Sequence, residues 1–122
     1  LGAMAYSPLA VGLLSGLYRK GQPAPAGTIW ATRRADTYDD VMNGPSGDII
    51  ETLVEVSAEL GKSPAQVAFA WLLSHPEISC GISGADNIQQ LDDVLGSVGW
   101  ELPEELRQRL DTTSNVPGLA IQ

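Results

Sequence analysis

The chain holds one cysteine, Cys80, and one histidine, His75, in 122 residues. A lone cysteine excludes an intrachain disulfide and any metal site built on thiolates, and it suits a reducing, cytoplasmic setting. Basic residues are scarce as well: 7 Lys and Arg stand against 15 Asp and Glu, a net charge of −8. With no basic patch or run, nucleic acid and anionic membrane are excluded as partners, and the negative charge reads as solubility. No apolar run reaches the ~18 residues of a membrane span. The amino end lacks the basic n-region of a signal peptide. Internal repeats and low-complexity tracts are also missing.

What is present is one domain's worth of chain with 43% apolar residues, the composition of a globular protein. Residues 1–9, LGAMAYSPL, read as a short buried strand entered midway and ended by Pro8. A long loop follows over 10–46, and its part 19–46 is punctuated by Gly and Pro, as a functional or mobile loop would be. Asp48 with Glu51 resembles a capping box opening a helix over 48–60, closed by Gly61. Ser63, Pro64 and Gln66 open a second helix, 64–74, which is apolar almost all round and therefore expected deep in the core. A second strand spans 78–83. Asp86 or Asn87 then caps a helix over 87–97 with Ile88, Leu91, Val94 and Leu95 on one face, and a polar helix covers 103–112 with Leu106 and Leu110 as its contacts.

Strands alternating with helices predict parallel α/β architecture. Two strands are too few for a self-standing parallel sheet, which normally has several members and both faces covered.

Groups able to do chemistry are few. His75 lies between the buried helix and the second strand, a position that reads as structural. Cys80 reads as a small core residue. Asp92 and Asp93 have no histidine or third carboxylate near them in sequence and read as a solvated helix face, so no metal site is expected. Tyr6, Tyr18 and Tyr38 each carry a phenol, without a neighbouring base to mark one as an acid. Trp30 is read either as packing over a site mouth or as a surface anchor. No catalytic constellation is legible. What remains are two strand-to-loop exits, YSPLAVGLLSG and SGADN, small and glycine-rich where α/β folds bind ligands.

Four blocks, AYSPLAVGLLSGLY, GKSPAQVAFAWLLSHP, ISCGISGADNIQQLDDVLGSV and LPEELRQRLD, together resemble the carboxy-terminal part of an aldo-keto reductase. The branch is the one containing potassium-channel beta subunits and bacterial reductases. The resemblance implies an incomplete (β/α)₈ TIM-type barrel, with strands seven and eight and their helices supplied by this chain. A full barrel takes ~250 residues, and the family's catalytic residues fall in the part absent here.

By the same resemblance, Tyr6 stacks on the nicotinamide of NADP or NAD. Ser7, Pro8, Leu9, Ala10 and Val11 line the pyrophosphate, with Gly12 and Gly16 allowing close backbone approach. Gly84, Ala85 and Asp86 form the phosphate-proximal turn, and Gln90 and Asp93 reach the adenosine. Leu17 stands where the family has a loop lysine. Ile29 stands for an arginine that Arg33 or Arg34 replaces, and Val94 for an asparagine. Asp86 replaces a residue that meets the ribose 2′-phosphate; a like-charge pair at ~4 Å costs roughly 1–4 kcal/mol. These departures imply an NAD-preferring parent or a chain that has drifted from tight cofactor binding.

The function so implied is reduction of small aldehydes or ketones by the parent, with the isolated chain inactive. The alternative is a non-catalytic regulatory or interaction protein derived from the barrel. Either way the bare sheet edges and the apolar helix 64–74 demand self-association or a complementary barrel part. A truncated or proteolysed reductase fits the same pattern.

Overall fold

The computed structural model describes residues 1–118. The elements are strand β1 (Ala3–Ala5), a 3₁₀ turn (Leu13–Ser15), helices α1 (Ala35–Asn43), α2 (Pro45–Leu60) and α3 (Pro64–Leu73), strand β2 (Ile78–Gly81), and helices α4 (Ile88–Leu95) and α5 (Glu104–Ser114). The two strands pair in parallel, Ala3 with Ile78, Met4 with Cys80 and Ala5 with Gly81. Among the described residues no helix is long and apolar enough to cross a membrane.

Strand 1–9 is shorter than the sequence reading. It ends at Ala5 because Ser7 turns to φ 54° and Pro8 has no N–H for a ladder. The second strand likewise closes at Gly81 rather than 83.

The segment 10–46 differs most from the expected loop. It contains α1 and most of a first core, where its Leu13, Tyr18, Trp30, Tyr38 and Met42 are buried together with Ile50 of the next helix. Tyr38, Val41 and Met42 sit at i, i+3, i+4, so the helical spacing is present but short and flanked by glycine and proline. Trp30, at 1% exposure, is neither a surface anchor nor a mouth residue. Its ring lies 6.4 Å from that of Tyr38, which in turn lies 6.1 Å from Tyr18.

Helix α2 begins at Pro45 with Gly44 as N-cap, so Asp48 and Glu51 form no capping box. Proline's fixed φ suits a first helical position, and the two carboxylates are used elsewhere. Glu51 receives the Arg19 guanidinium at 2.6 Å and the Lys20 backbone N–H at 2.9 Å, while Asp48 takes the Lys20 ammonium at 2.5 Å. Gly47 lets α2 start hard against α1: a Cβ there would sit 1.8 Å from the Met42 carbonyl oxygen.

Helix α3 opens with the capping box read from Ser63 and Gln66, both reciprocal bonds being present. It packs between α2 and α4, and Leu53, Val56, Val67, Ala68 and Leu110 form the second core. The apolar helix expected to lie bare is therefore largely covered. The uncovered apolar face belongs to α4, where only Val94 is buried and Ile88, Leu91 and Leu95 are exposed. Its contact with α3 is made at the carboxyl end, where Gly96 lies against the Gln66 side chain and Asp93 takes the Ser63 hydroxyl.

Candidate functional site

Both glycine-rich exits leave the same end of the sheet. Ala5 and Gly81 are the last paired residues of β1 and β2, and the Ile82 N–H donates to the Ala5 carbonyl at 2.9 Å. The loops 6–12 and 82–87 thus start side by side at the carboxyl ends of parallel strands, the place where α/β sheets bind ligands.

Tyr6 comes first and is 86% exposed, a bare aromatic ring beside the sheet end. The next residues run through the left-handed region: Ser7 at φ 54°, Ala10 at 50°, Val11 at 58° and Gly12 at 84°. For a β-branched residue such as Val11 this is an outlier, and such strain costs about 1–3 kcal/mol per residue. Ser7 stabilises the turn from within. Its carbonyl accepts the Ala10 N–H at 2.9 Å and its hydroxyl oxygen accepts the Val11 N–H at 3.3 Å. Trp30 stabilises it from below, donating its indole N–H to the Val11 carbonyl at 2.9 Å. Pro8, Leu9, Ala10 and Val11 are half-buried, with Ala10 and Val11 packed on the first core and Leu9 on the second.

Gly16 has a different task from the close ligand approach expected of it. At φ 91°, its Cβ would lie 2.8 Å from Pro64 Cγ, so this glycine lets the loop dock on the first turn of α3.

In the second loop Gly84, Ala85 and Asp86 are exposed. Asn87, rather than Asp86, caps α4: its side-chain oxygen accepts the Gln90 N–H at 2.9 Å. Gln90 reaches back with Oε1 to the Asp86 N–H at 2.8 Å. Asp93 is half-buried and takes the Ser63 hydroxyl at 2.9 Å, which ties α4 to the start of α3. Tyr6, Ser7, Gly84, Ala85 and Asp86 are thus gathered at one sheet end, whereas Gln90 and Asp93 are already engaged in building the loop and the helix contact.

Other candidates fall away from this end or into the core. The His75 ring stands edge-on to Trp71 at 4.7 Å, and its Nδ1 lies 2.8 Å from the Trp71 carbonyl, so that nitrogen carries the proton. Tyr38 is buried and donates its phenol to the Gln22 carbonyl at 3.1 Å; burial, then Tyr18 and Asp39, push its pKa up, which suits anchoring rather than proton transfer. Cys80 is exposed, contrary to its core reading. Gly81 faces Phe69 and Leu72 of α3, and the strand's alternation turns Cys80 to the opposite face, which nothing among the described residues covers. No group of three His, Cys, Asp or Glu able to hold a metal occurs among the described residues.

Cations are committed elsewhere. Arg19 and Lys20 pair with Glu51 and Asp48, Arg107 with Glu104 and Asp111, and Arg109 with Glu55 and Glu59. The Arg34 guanidinium lies 5.2 Å from the Trp30 ring centre and the Lys62 ammonium 5.1 Å from that of Trp100. Arg33 is exposed just before α1.

The profile of the Aldo/keto reductase family matches residues 1–115. The chain belongs to the aldo-keto reductases. An uncharacterized oxidoreductase of Bacillus subtilis is 35% identical over 118 residues, covering 97% of this chain and 33% of that protein. A putative voltage-gated potassium channel subunit beta of Schizosaccharomyces pombe is 28% identical, over 99% of this chain and 36% of its own length. Among solved structures, the glycerol dehydrogenase of Gluconobacter oxydans superposes with a TM-score of 0.65 at 22% identity, over 92% of this chain and 33% of that one. That likeness shows the fold, α/β of the kind found in an aldo-keto reductase barrel. This aldo-keto reductase chain spans about a third of the length of these relatives.

No local pattern in the sequence marks Trp30 as the anchor of the Tyr6 loop, because the contact joins residues 19 positions apart.

Proposed function

We propose that this chain is the carboxy-terminal, cofactor-facing part of an NAD(P)-dependent oxidoreductase that reduces aldehydes or ketones, supplying strands seven and eight of the barrel. The observation that carries the reading is that the exposed Tyr6 ring and the Gly84–Asp86 turn both follow the carboxyl ends of one parallel strand pair, Tyr6 directly after Ala5 and Gly84 three residues after Gly81. Bound there, the nicotinamide cofactor supplies a hydride to a carbonyl carbon.

The residues fit that group in part. Tyr6 offers a flat ring to stack on the nicotinamide and so select the face presented to substrate. The small side chains of Ser7, Pro8, Leu9, Ala10 and Val11 leave room for the pyrophosphate, and Gly84, Ala85 and Asp86 border it from the second loop. The Ala10 and Val11 amides are already given to Ser7, and the negative Asp86 faces the phosphates, so charge neutralisation at this end is weak. Arg33 is the cation on the segment 19–46 with the exposure to help. NAD is favoured over NADP because Asp86 stands where the family meets the ribose 2′-phosphate, the one group that NADP adds. On this reading Tyr6 is given to the nicotinamide and none of the family's catalytic residues is assigned among the described residues, so the chain by itself is expected to be inactive.

Titration of the chain with NADH and NADPH, followed by nicotinamide fluorescence, tests the reading. Saturable binding with NADH at least as tight as NADPH is expected. Clearly tighter NADPH overturns the preference, and binding of neither overturns the cofactor reading.

A second reading, a non-catalytic interaction protein, is favoured by one observation: Ile88, Leu95 and Val98 stand 78%, 58% and 63% exposed along α4 and its exit. Such a stripe suits a complementary barrel part or a second copy. Relatives named as potassium-channel beta subunits agree with it. Carbonyl reduction by a compact monomer of this chain would exclude it.

A further inference from the structure

We infer that Trp30 is a positioning residue that aims the Gly12 backbone amide at a phosphate of the bound dinucleotide; this rests on the cofactor reading above. In a planar trans peptide the carbonyl of one residue and the N–H of the next point in opposite directions. The Val11 carbonyl is held by the indole N–H of Trp30, at 2.9 Å, and Trp30 is itself 1% exposed within the first core. The Val11 oxygen is therefore turned into the protein, and the Gly12 N–H is turned the other way.

Three features make this orientation specific. Ser7 takes the amides of Ala10 and Val11, which removes them as donors and leaves the next amide along the loop to meet an anion. Gly12 is left-handed, at φ 84°, a conformation that glycine adopts without strain, and its Cβ direction faces the buried Tyr18 ring, at 3.9 Å. The indole is held by two neighbours, the Tyr38 ring at 6.4 Å and the Arg34 guanidinium at 5.2 Å. A hydrogen bond from a buried ring thus sets the direction of a half-buried peptide plane. The strain of a left-handed Val11 gives that plane a reason to flip once the bond is lost.

The test is Trp30→Phe in the full chain, which keeps a ring and deletes the N–H. Tyr38→Phe is the control, because it deletes a hydrogen bond of the same core that holds Gln22 instead. NADH affinity should fall about tenfold in Trp30→Phe, the equivalent of 1.4 kcal/mol, and change less than about twofold in Tyr38→Phe. In the wild-type chain the Gly12 amide resonance should move on adding NADH, and Trp30→Phe should abolish that movement. NADH binding that Trp30→Phe leaves unchanged overturns the role of Trp30 alone. A wild-type chain that binds neither NADH nor NADPH overturns the cofactor reading and the phosphate role with it. Should Trp30→Phe not fold, hydrogen exchange of the Trp30 indole proton in the wild-type chain serves instead. Bound NADH should slow it severalfold, and an unchanged rate overturns the proposal.

Discussion

Gly16 and Pro64 meet so closely that a methyl group on Gly16 would lie 2.8 Å from the proline ring. The contact joins the end of the site loop to the start of α3, so the loop geometry is set partly by a helix 48 residues further along the chain. Gly16→Ala must both strain a φ of 91° and push Pro64 aside. It should lower stability by about 1–3 kcal/mol, read as an earlier midpoint in urea. The companion Gly21→Ala, also left-handed but with open space around it, should cost less.

Ser63 serves two structures at once, accepting the Gln66 N–H at 3.1 Å and donating its hydroxyl to Asp93 at 2.9 Å. Ser63→Ala should cost about 1–2 kcal/mol, as the loss of a helix cap does. A double-mutant cycle with Asp93→Ala should show a coupling of about 0.5–3 kcal/mol. Additive losses would show that the α3–α4 link carries no energy of its own.

Stability should fall at both ends of the pH scale for separate reasons. The hydrogen bonds from Arg19 hold the Glu51 carboxyl below its ordinary value of 4.5. That contribution is present above pH 4.5 and is lost as pH falls through the lower, folded-state value. Tyr38 is shifted the other way, above 10.0, chiefly by burial. The folded state then keeps a proton the unfolded chain gives up, so stability is intact below pH 10 and declines above it. Denaturation midpoints across pH should show Glu51→Gln flattening the acid limb and Tyr38→Phe flattening the alkaline one.

Asp86→Ser should raise NADPH affinity relative to NADH. Removing a like charge at ~4 Å in a solvent-exposed site is worth roughly 1 kcal/mol, about fivefold. Equal gains for both cofactors would mean that Asp86 repels the pyrophosphate and not the 2′-phosphate.

Leu91→Asp with Leu95→Asp places two charges on the bare face of α4. Both residues are exposed, so the folded chain should lose little more than about 0.5 kcal/mol. Sedimentation should show wild-type chain associating with rising concentration and the double variant remaining dispersed.

Much of this protein is local and was legible in its sequence. Ser63-Pro64 with Gln66 specifies a helix start by hydrogen bonds that span three residues, and Gly61 ends the preceding helix by tolerating a left-handed φ of 64°. The two strand exits, at Tyr6 and at Gly84, were likewise readable, since bend chemistry after a short apolar run is a property of neighbours. Tertiary structure decided the rest. Asp48 and Glu51 have the spacing of a cap, yet Arg19 and Lys20, brought in by a distant segment, claim their carboxylates. Trp30 carries no pattern that marks it as core, because its burial depends on Tyr18 from one segment and Tyr38 and Met42 of α1 from another closing around it. The apolar stripe of α4 has the periodicity of a buried face, but periodicity states only which residues share a side. Whether that side is covered depends on what packs there, and here Val94 is buried while Ile88, Leu91 and Leu95 stand in the open.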